Sequence, residues 1–274
     1  MRTRQSRVLP LERSVLPLSP AVDVTLGEVA AALVLVALAA AVSLWRRADL
    51  ERDLGLAVLR SFLQLTAVGY LIQAIFDSDS LWVVAALLAG MVGVGTLTAR
   101  SRARAVPGAV WPIALALSVS AAVTLGIVLA LGVFEPEPRY LVPVGGMVIG
   151  NAMTAAGVAL NRLADEVRDQ ANRIEAALAL GATSRQAVAG LLTRSLRSGL
   201  IPLIDQTKTT GLVSFPGVMV GMLVAGAEPL DAVRLQLILL WTLLGSVALA
   251  GLIAVSLGYR GFFTRAHQLI DHQA

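Results

Sequence analysis

Leu-Gln-Leu-Ile-Leu-Leu-Trp-Thr-Leu-Leu-Gly-Ser-Val-Ala-Leu-Ala-Gly-Leu-Ile-Ala-Val-Ser-Leu-Gly-Tyr, residues 235–259, holds no Asp, Glu, Lys or Arg. As a helix rising 1.5 Å per residue it measures about 37 Å, enough to cross a hydrocarbon layer of about 30 Å. A helix in water keeps a polar face, and this stretch has none to offer. Six more charge-free runs lie upstream, at 29–45, 61–76, 80–99, 105–134, 140–161 and 209–227. All 22 basic and 18 acidic residues of the 274-residue chain fall outside the seven runs. That segregation excludes a soluble enzyme and a protein with a single anchor. It predicts an all-α polytopic transmembrane bundle of about seven crossings, a single membrane domain over 23–274 behind an N-terminal tail, 1–22. Glu12 and Arg13 interrupt the tail, so it does not read as a signal peptide.

The chain has no cysteine, which removes disulfides and thiolate metal sites. Its net charge of +4 is assigned to topology rather than to nucleic acid. Alternate connections carry Arg46, Arg47 and Arg52; Arg100, Arg102 and Arg104; Arg162, Arg168, Arg173, Arg185, Arg194, Arg197 and Lys208; and Arg260 and Arg265. The connections between them hold Asp77 and Asp79; Glu135, Glu137 and Arg139; and Glu228 and Asp231, with Arg234 opening the last crossing. The positive-inside rule therefore predicts a multi-pass protein of the inner (plasma) membrane with a cytoplasmic C-terminus. Seven crossings then place the N-terminus outside, which requires translocation of Arg2, Arg4, Arg7 and Arg13.

One connection is long. Leu163, Val167, Ala171, Ile174 and Leu178 recur at helical spacing, with Arg162, Asp165, Glu166, Arg168, Asp169 and Arg173 on the other faces. The fifth crossing is expected to continue as one helix to Gly181, a residue suited to a left-handed helix end. Thr183-Ser184-Arg185-Gln186 has the capping-box spacing that opens a second helix. A cytoplasmic helical hairpin over 162–200 is thus expected between the fifth and sixth crossings. It is either a solvated loop or a docking element.

Within it, Glu175-Ala176-Ala177 and Gly181 form an E-A-A-x-x-x-G string that resembles the motif by which ABC permeases dock onto their ATPase subunits. Leu191-Leu192-Thr193-Arg194 stands where the importer version ends in I-x-L-P. A closer resemblance is carried by Gly150-Asn151-Ala152-Met153, Arg173 to Thr183, Leu200-Ile201-Pro202, Lys208, Gly211-Leu212-Val213-Ser214-Phe215-Pro216-Gly217, and Arg60 with Leu63-Gln64-Leu65. Over about residues 55–265 the chain resembles the FetB-type iron-export ABC permease family, whose plant relatives are linked to aluminium tolerance. The chain itself has no G-x-x-x-x-G-K-[ST] phosphate loop. The resemblance implies a soluble ATP-binding cassette subunit as partner and a second permease copy forming a homodimer. It implies no cofactor and no catalytic residue in this chain. Glu175, Ala176, Ala177, Gly181 and Arg185 would then be ATPase-coupling residues. The alternatives are a permease for an organic or nucleotide-sugar solute, or a seven-helix membrane protein without transport activity.

Polar residues within apolar spans are costly and mark pathway candidates. Arg60 and Gln64 form an i, i+4 pair; Arg60 either snorkels to the headgroups or faces a path. Asp205 and Lys208 form an i, i+3 pair, either structural or at a gate, and a sixth crossing that starts near Leu200 would draw them into the membrane edge. Asn151, Pro216 and Gly217 complete the set, since a helix broken at membrane depth needs protein or a cavity beside it. Met147, Met153 and Met219 would pass a soft metal weakly, or they fill gaps beside the G-x-x-x-G pairs Gly146/Gly150 and Gly217/Gly221. His267 and His272 are read as solvated.

Overall fold

The computed structural model describes residues 25–76 and 80–270. Arg2, Arg4, Arg7, Arg13, Asp77, Asp79 and His272 lie outside them. The described elements are α1 (Leu26–Arg46), α2 (Glu51–Phe76), α3 (Leu81–Arg102), α4 (Val110–Ala130), α5 (Pro138–Asp169), α6 (Ala171–Ala179), α7 (Ser184–Thr209), α8 (Gly217–Val224) and α9 (Pro229–Gly258), followed by a 3-10 turn, Tyr259–Phe262. Seven of these helices are long and apolar enough to cross a membrane: α1, α2, α3, α4, α5, α7 and α9.

Local chemistry sets the helix ends. Thr25 opens α1 through a reciprocal capping box with Glu28. Proline occupies the first position of α5 and of α9, where its missing N–H has no helical partner to lose. Glu137, just before α5, pairs with Arg139, and that guanidinium holds its carboxyl below the usual range.

α5 is the axis of the bundle and packs against α3, α4, α7 and α9. Where helices meet closely, the contact residue is small. A Cβ on Gly199 of α7 would lie 2.6 Å from the Ala155 carbonyl oxygen of α5, and one on Gly258 of α9 would lie 2.4 Å from Leu160. At one end Ala99, Val106, Leu160, Leu163, Ile174, Val188, Ala254 and Phe262 make a shared core. A middle cluster joins Val144, Val148, Leu203, Leu239 and Leu243. Ile75, Val84, Leu141 and Val142 close the other end. The α1–α2 pair stands apart: the last turns of α2 join the cluster of Leu141 and Val142, and large apolar side chains of both helices are exposed.

Two expectations are corrected. The helix leaving the fifth crossing is not continuous to Gly181. It breaks at Gln170, whose backbone (φ −113°, ψ 20°) ends α5 and begins α6. The bend seats Ile174 in the core beside Val188 and Leu191 of α7. The sixth crossing breaks ahead of Gly217 as expected, but its spanning helix begins well before Leu200, at Ser184. Gly211 turns the chain at φ 86°, and Pro216 disfavours helix at Phe215. The sixth spanning helix is α7, and the apolar run after it supplies the turn and the short α8, which packs on α9.

Candidate functional site

The connection from α5 to α7 brings the sequence-predicted coupling residues together. α5 is 32 residues long, about 48 Å at 1.5 Å per residue, and so outreaches a 30 Å hydrocarbon layer. α6 then carries Glu175, Ala176 and Ala177, the first two exposed. Gly181 sits at φ 88°, and the bonds Gly181 N–H to Leu178 O (2.9 Å) and Ala182 N–H to Ala177 O (3.0 Å) form a Schellman end. Leu180, at the tip, is 89% exposed. Thr183 caps α7: its Oγ1 accepts from Gln186 N–H at 3.3 Å, and its own N–H donates to Gln186 Oε1 at 2.8 Å. Arg185 is exposed on the first turn of α7.

Glu166 holds this connection and was placed on a polar face by its spacing alone. In the structure it is 6% exposed. Its Oε1 accepts from Arg162 Nη2 at 2.7 Å. Its Oε2 accepts from Gln170 Nε2 at 2.7 Å and from Arg194 Nε and Nη2 at 3.2 and 3.0 Å. One carboxylate therefore ties α5, the break at Gln170 and α7. The signal was present as Arg162, Glu166 and Gln170 at i, i+4 and i+8; the partner 28 residues on was not.

The pathway candidates fall into separate places. Arg60 and Gln64 are exposed one turn apart on α2, on the face opposite Val58, Phe62 and Leu65, which line a groove against α1. Asp205 and Lys208 pair at 3.5 Å near the end of α7, both exposed. Pro216 precedes α8, and Gly217 is its first residue. Asn151 does not reach across to a neighbouring helix: its Nδ2 donates to Met147 O at 2.8 Å on α5 itself. Met147 packs with Val144, Val148 and Leu243, Met153 packs with Ala152 and Ala156, and buried Met219 lies on α8. Met147 and Met153 thus join different clusters, and Met219 lies on another helix. Among the described residues no three His, Asp or Glu side chains converge as a metal would require.

The glycine pairs also differ from expectation. A Cβ at Gly150, Gly217 or Gly221 would meet nothing within 4 Å, so these do not form the close helix contacts of this chain. Gly199 and Gly258 do. His267 is exposed, as expected, and makes a contact besides. Its Nδ1 lies 2.9 Å from Ser184 Oγ.

Seven apolar helices, α5 among them as the axis on which α3, α4, α7 and α9 pack, define a multi-pass α-helical membrane protein. The profile described as "Uncharacterised protein family (UPF0014)" matches residues 26–263, and the chain belongs to that family. It is 41% identical over 244 residues to the Arabidopsis thaliana protein ALUMINUM SENSITIVE 3, covering 89% of each chain. It is 42% identical over 242 residues to the UPF0014 membrane protein STAR2 of Oryza sativa subsp. japonica, covering 88% of this chain and 85% of STAR2. It is 35% identical over 251 residues to the "Probable iron export permease protein FetB" of Escherichia coli, covering 92% and 97%. No solved structure matches.

Proposed function

We propose that this protein is the membrane subunit of an ABC transporter that exports iron or another metal, driven by a separate soluble ATPase and working as a pair of copies. The observation that carries the ATPase partner is the α5–α6–α7 connection. An exposed Glu175-Ala176 face, a glycine end at Gly181 and a capped α7 form a firm projection, continuous with helices that reach the bundle core. By the positive-inside rule the arginines of this end favour the cytoplasm, where a soluble ATPase works, for this connection and for the C-terminus alike. The cargo rests on the relative named as an iron export permease.

In this reading closure of the ATPase pair moves α6 and its turn, and α7 carries the motion into the membrane. Glu175, Ala176, Ala177, Gly181 and Arg185 meet the ATPase. Arg60, Gln64, Asn151, Asp205, Lys208 and the break at Pro216-Gly217 are the places where a path or gate would form, and Met147, Met153 and Met219 are the soft groups along it. The test is reconstitution of the full chain in lipid vesicles with the cassette ATPase of the same organism. Stimulated ATP hydrolysis and ATP-dependent flux of ferrous iron are expected. Stimulation with flux of a nucleotide sugar and no metal would replace the cargo, and an ATPase indifferent to the chain would overturn the reading.

A further inference from the structure

We infer that Glu166 is a positioning residue for coupling: its carboxylate locks the break at Gln170 and binds α7 to α5, so that motion imposed on α6 reaches the membrane helices. The inference rests on the permease reading above. The need for a lock comes from the break itself. A helix interrupted one residue before α6 is a pivot, and a push on Glu175-Ala176 would pass to α7 through the Gly181 turn while bending at Gln170 left α5 behind.

The geometry at Glu166 removes that freedom. Gln170, the pivot residue, donates its side-chain amide to Glu166 Oε2, while its carbonyl accepts from Ile174 N–H at 3.0 Å as the first bond of α6. The same oxygen takes two bonds from Arg194, about ten residues into α7. Arg162, one turn before Glu166, fills the other oxygen. The side chain is buried while the side chains of Arg162 and Arg194 stay half exposed, at 50% and 51%. Burial strengthens the attraction and leaves few alternatives to it, because a buried carboxylate without these donors would be strongly disfavoured. The other charges nearby do not compete: Asp165 is engaged with Arg168 at 3.4 Å on the exposed side. α7 runs from this lock past Gly199, pressed against Ala155, to the turn at Gly211 and the start of α8. A rotation of the locked unit is therefore delivered along α7 to the turn that leads into α8.

The experiment uses full-length chain and ATPase in vesicles and reads ferrous iron moved per ATP hydrolysed. Parent vesicles showing stimulation and flux establish the permease reading; vesicles without either defeat it and the inference together. With the parent active, Glu166→Gln and Arg194→Glu are each expected to keep the ATPase bound and hydrolysing while the ratio of iron to ATP falls at least tenfold. Glu166→Arg combined with Arg194→Glu should recover a third or more of the parent ratio. Gln170→Leu, which leaves the carboxylate and both arginines in place and touches only a half-buried side chain, guards against misfolding of the charge variants and should lower the ratio two- to fivefold. An unchanged ratio in Gln170→Leu together with an unchanged ratio in whatever Glu166→Gln protein inserts would overturn the inference and leave Glu166 a purely structural residue.

Discussion

The Oγ of Ser184, the first residue of α7, lies 2.9 Å from Nδ1 of His267, 83 residues later. The Ser184 N–H donates to the same nitrogen at 3.4 Å. His267 holds a left-handed backbone, φ 59°, and the Ile270 N–H to Phe262 O bond folds the C-terminal segment back on the end of the bundle. The segment after the last crossing is thereby tied to the start of the helix that follows the α6 turn.

Replacing Ser184 with Ala removes the hydroxyl contact and leaves the backbone N–H bond to His267 and the capping box at Thr183 intact. A single hydrogen bond of this kind is worth about 0.5–1.5 kcal/mol. The expected result is a modest loss of thermal stability in detergent and faster trypsin cleavage at exposed Arg265. His267→Ala, which loses the N–H bond as well, should cost at least as much, and the double variant should cost no more than His267→Ala alone. Full additivity would mean that the two side chains act independently.

The seven crossings were legible because hydrocarbon thickness imposes a length on every apolar run, whatever the neighbours. Gly181 and the Thr183/Gln186 box were legible because each is satisfied by residues three to five positions away. The full extent of the sixth helix was hidden by its own charges. Arg194 interrupts the apolar pattern of α7, and only Glu166, 28 residues earlier, makes its position inexpensive. The break at Gln170 was equally invisible. The stripe Leu163, Val167, Ile174 keeps its period across the bend, since the same face stays buried on both sides of it.

Gly199 tests the packing of α7 on α5. A methyl group there would press on the Ala155 carbonyl oxygen at 2.6 Å and on Ala159 Cβ at 2.9 Å, and backbone in a helix cannot move aside. Gly199→Ala should cost about 1–3 kcal/mol, seen as a lower unfolding temperature or reduced yield of folded protein. Gly150→Ala, with nothing within 4 Å, should be neutral or slightly stabilising within this chain because alanine favours helix. Equal losses at both sites would show that the close contact is misplaced.

Gly181 separates docking from folding. At φ 88° a side chain costs about 1–2 kcal/mol, while its surroundings are open. Gly181→Val should therefore leave the bundle folded and disturb the α6 end, lowering ATPase stimulation severalfold. Gly181→Asn, which tolerates the left-handed region, should retain most of it. Identical stimulation in both variants would detach the turn from the ATPase.

The Asp205–Lys208 pair distinguishes stability from transport. Both side chains are exposed, at 62% and 69%, and a 3.5 Å contact of that kind contributes less than about 1 kcal/mol. Asp205→Asn with Lys208→Gln should unfold within about 0.5 kcal/mol of the parent by thermal denaturation. A large loss of stability would place the pair in a buried contact that this chain alone does not make.

Sidedness follows from charge and is open to direct measurement, because the chain contains no cysteine and any introduced thiol reports alone. Leu180, at the α6 tip, is 89% exposed, and Leu131, at the end of α4, is 73% exposed. α4 runs from the arginine-bearing end toward Glu135 and Glu137, so the two residues lie at opposite ends of the bundle. If the arginines are held inside, Leu131→Cys reacts in intact spheroplasts with a membrane-impermeant maleimide, and Leu180→Cys reacts only after the membrane is opened. The opposite pattern would put the α6 turn outside, out of reach of any cytoplasmic ATPase, and would remove the physical basis for the coupling assigned to Glu175, Arg185 and Glu166 alike.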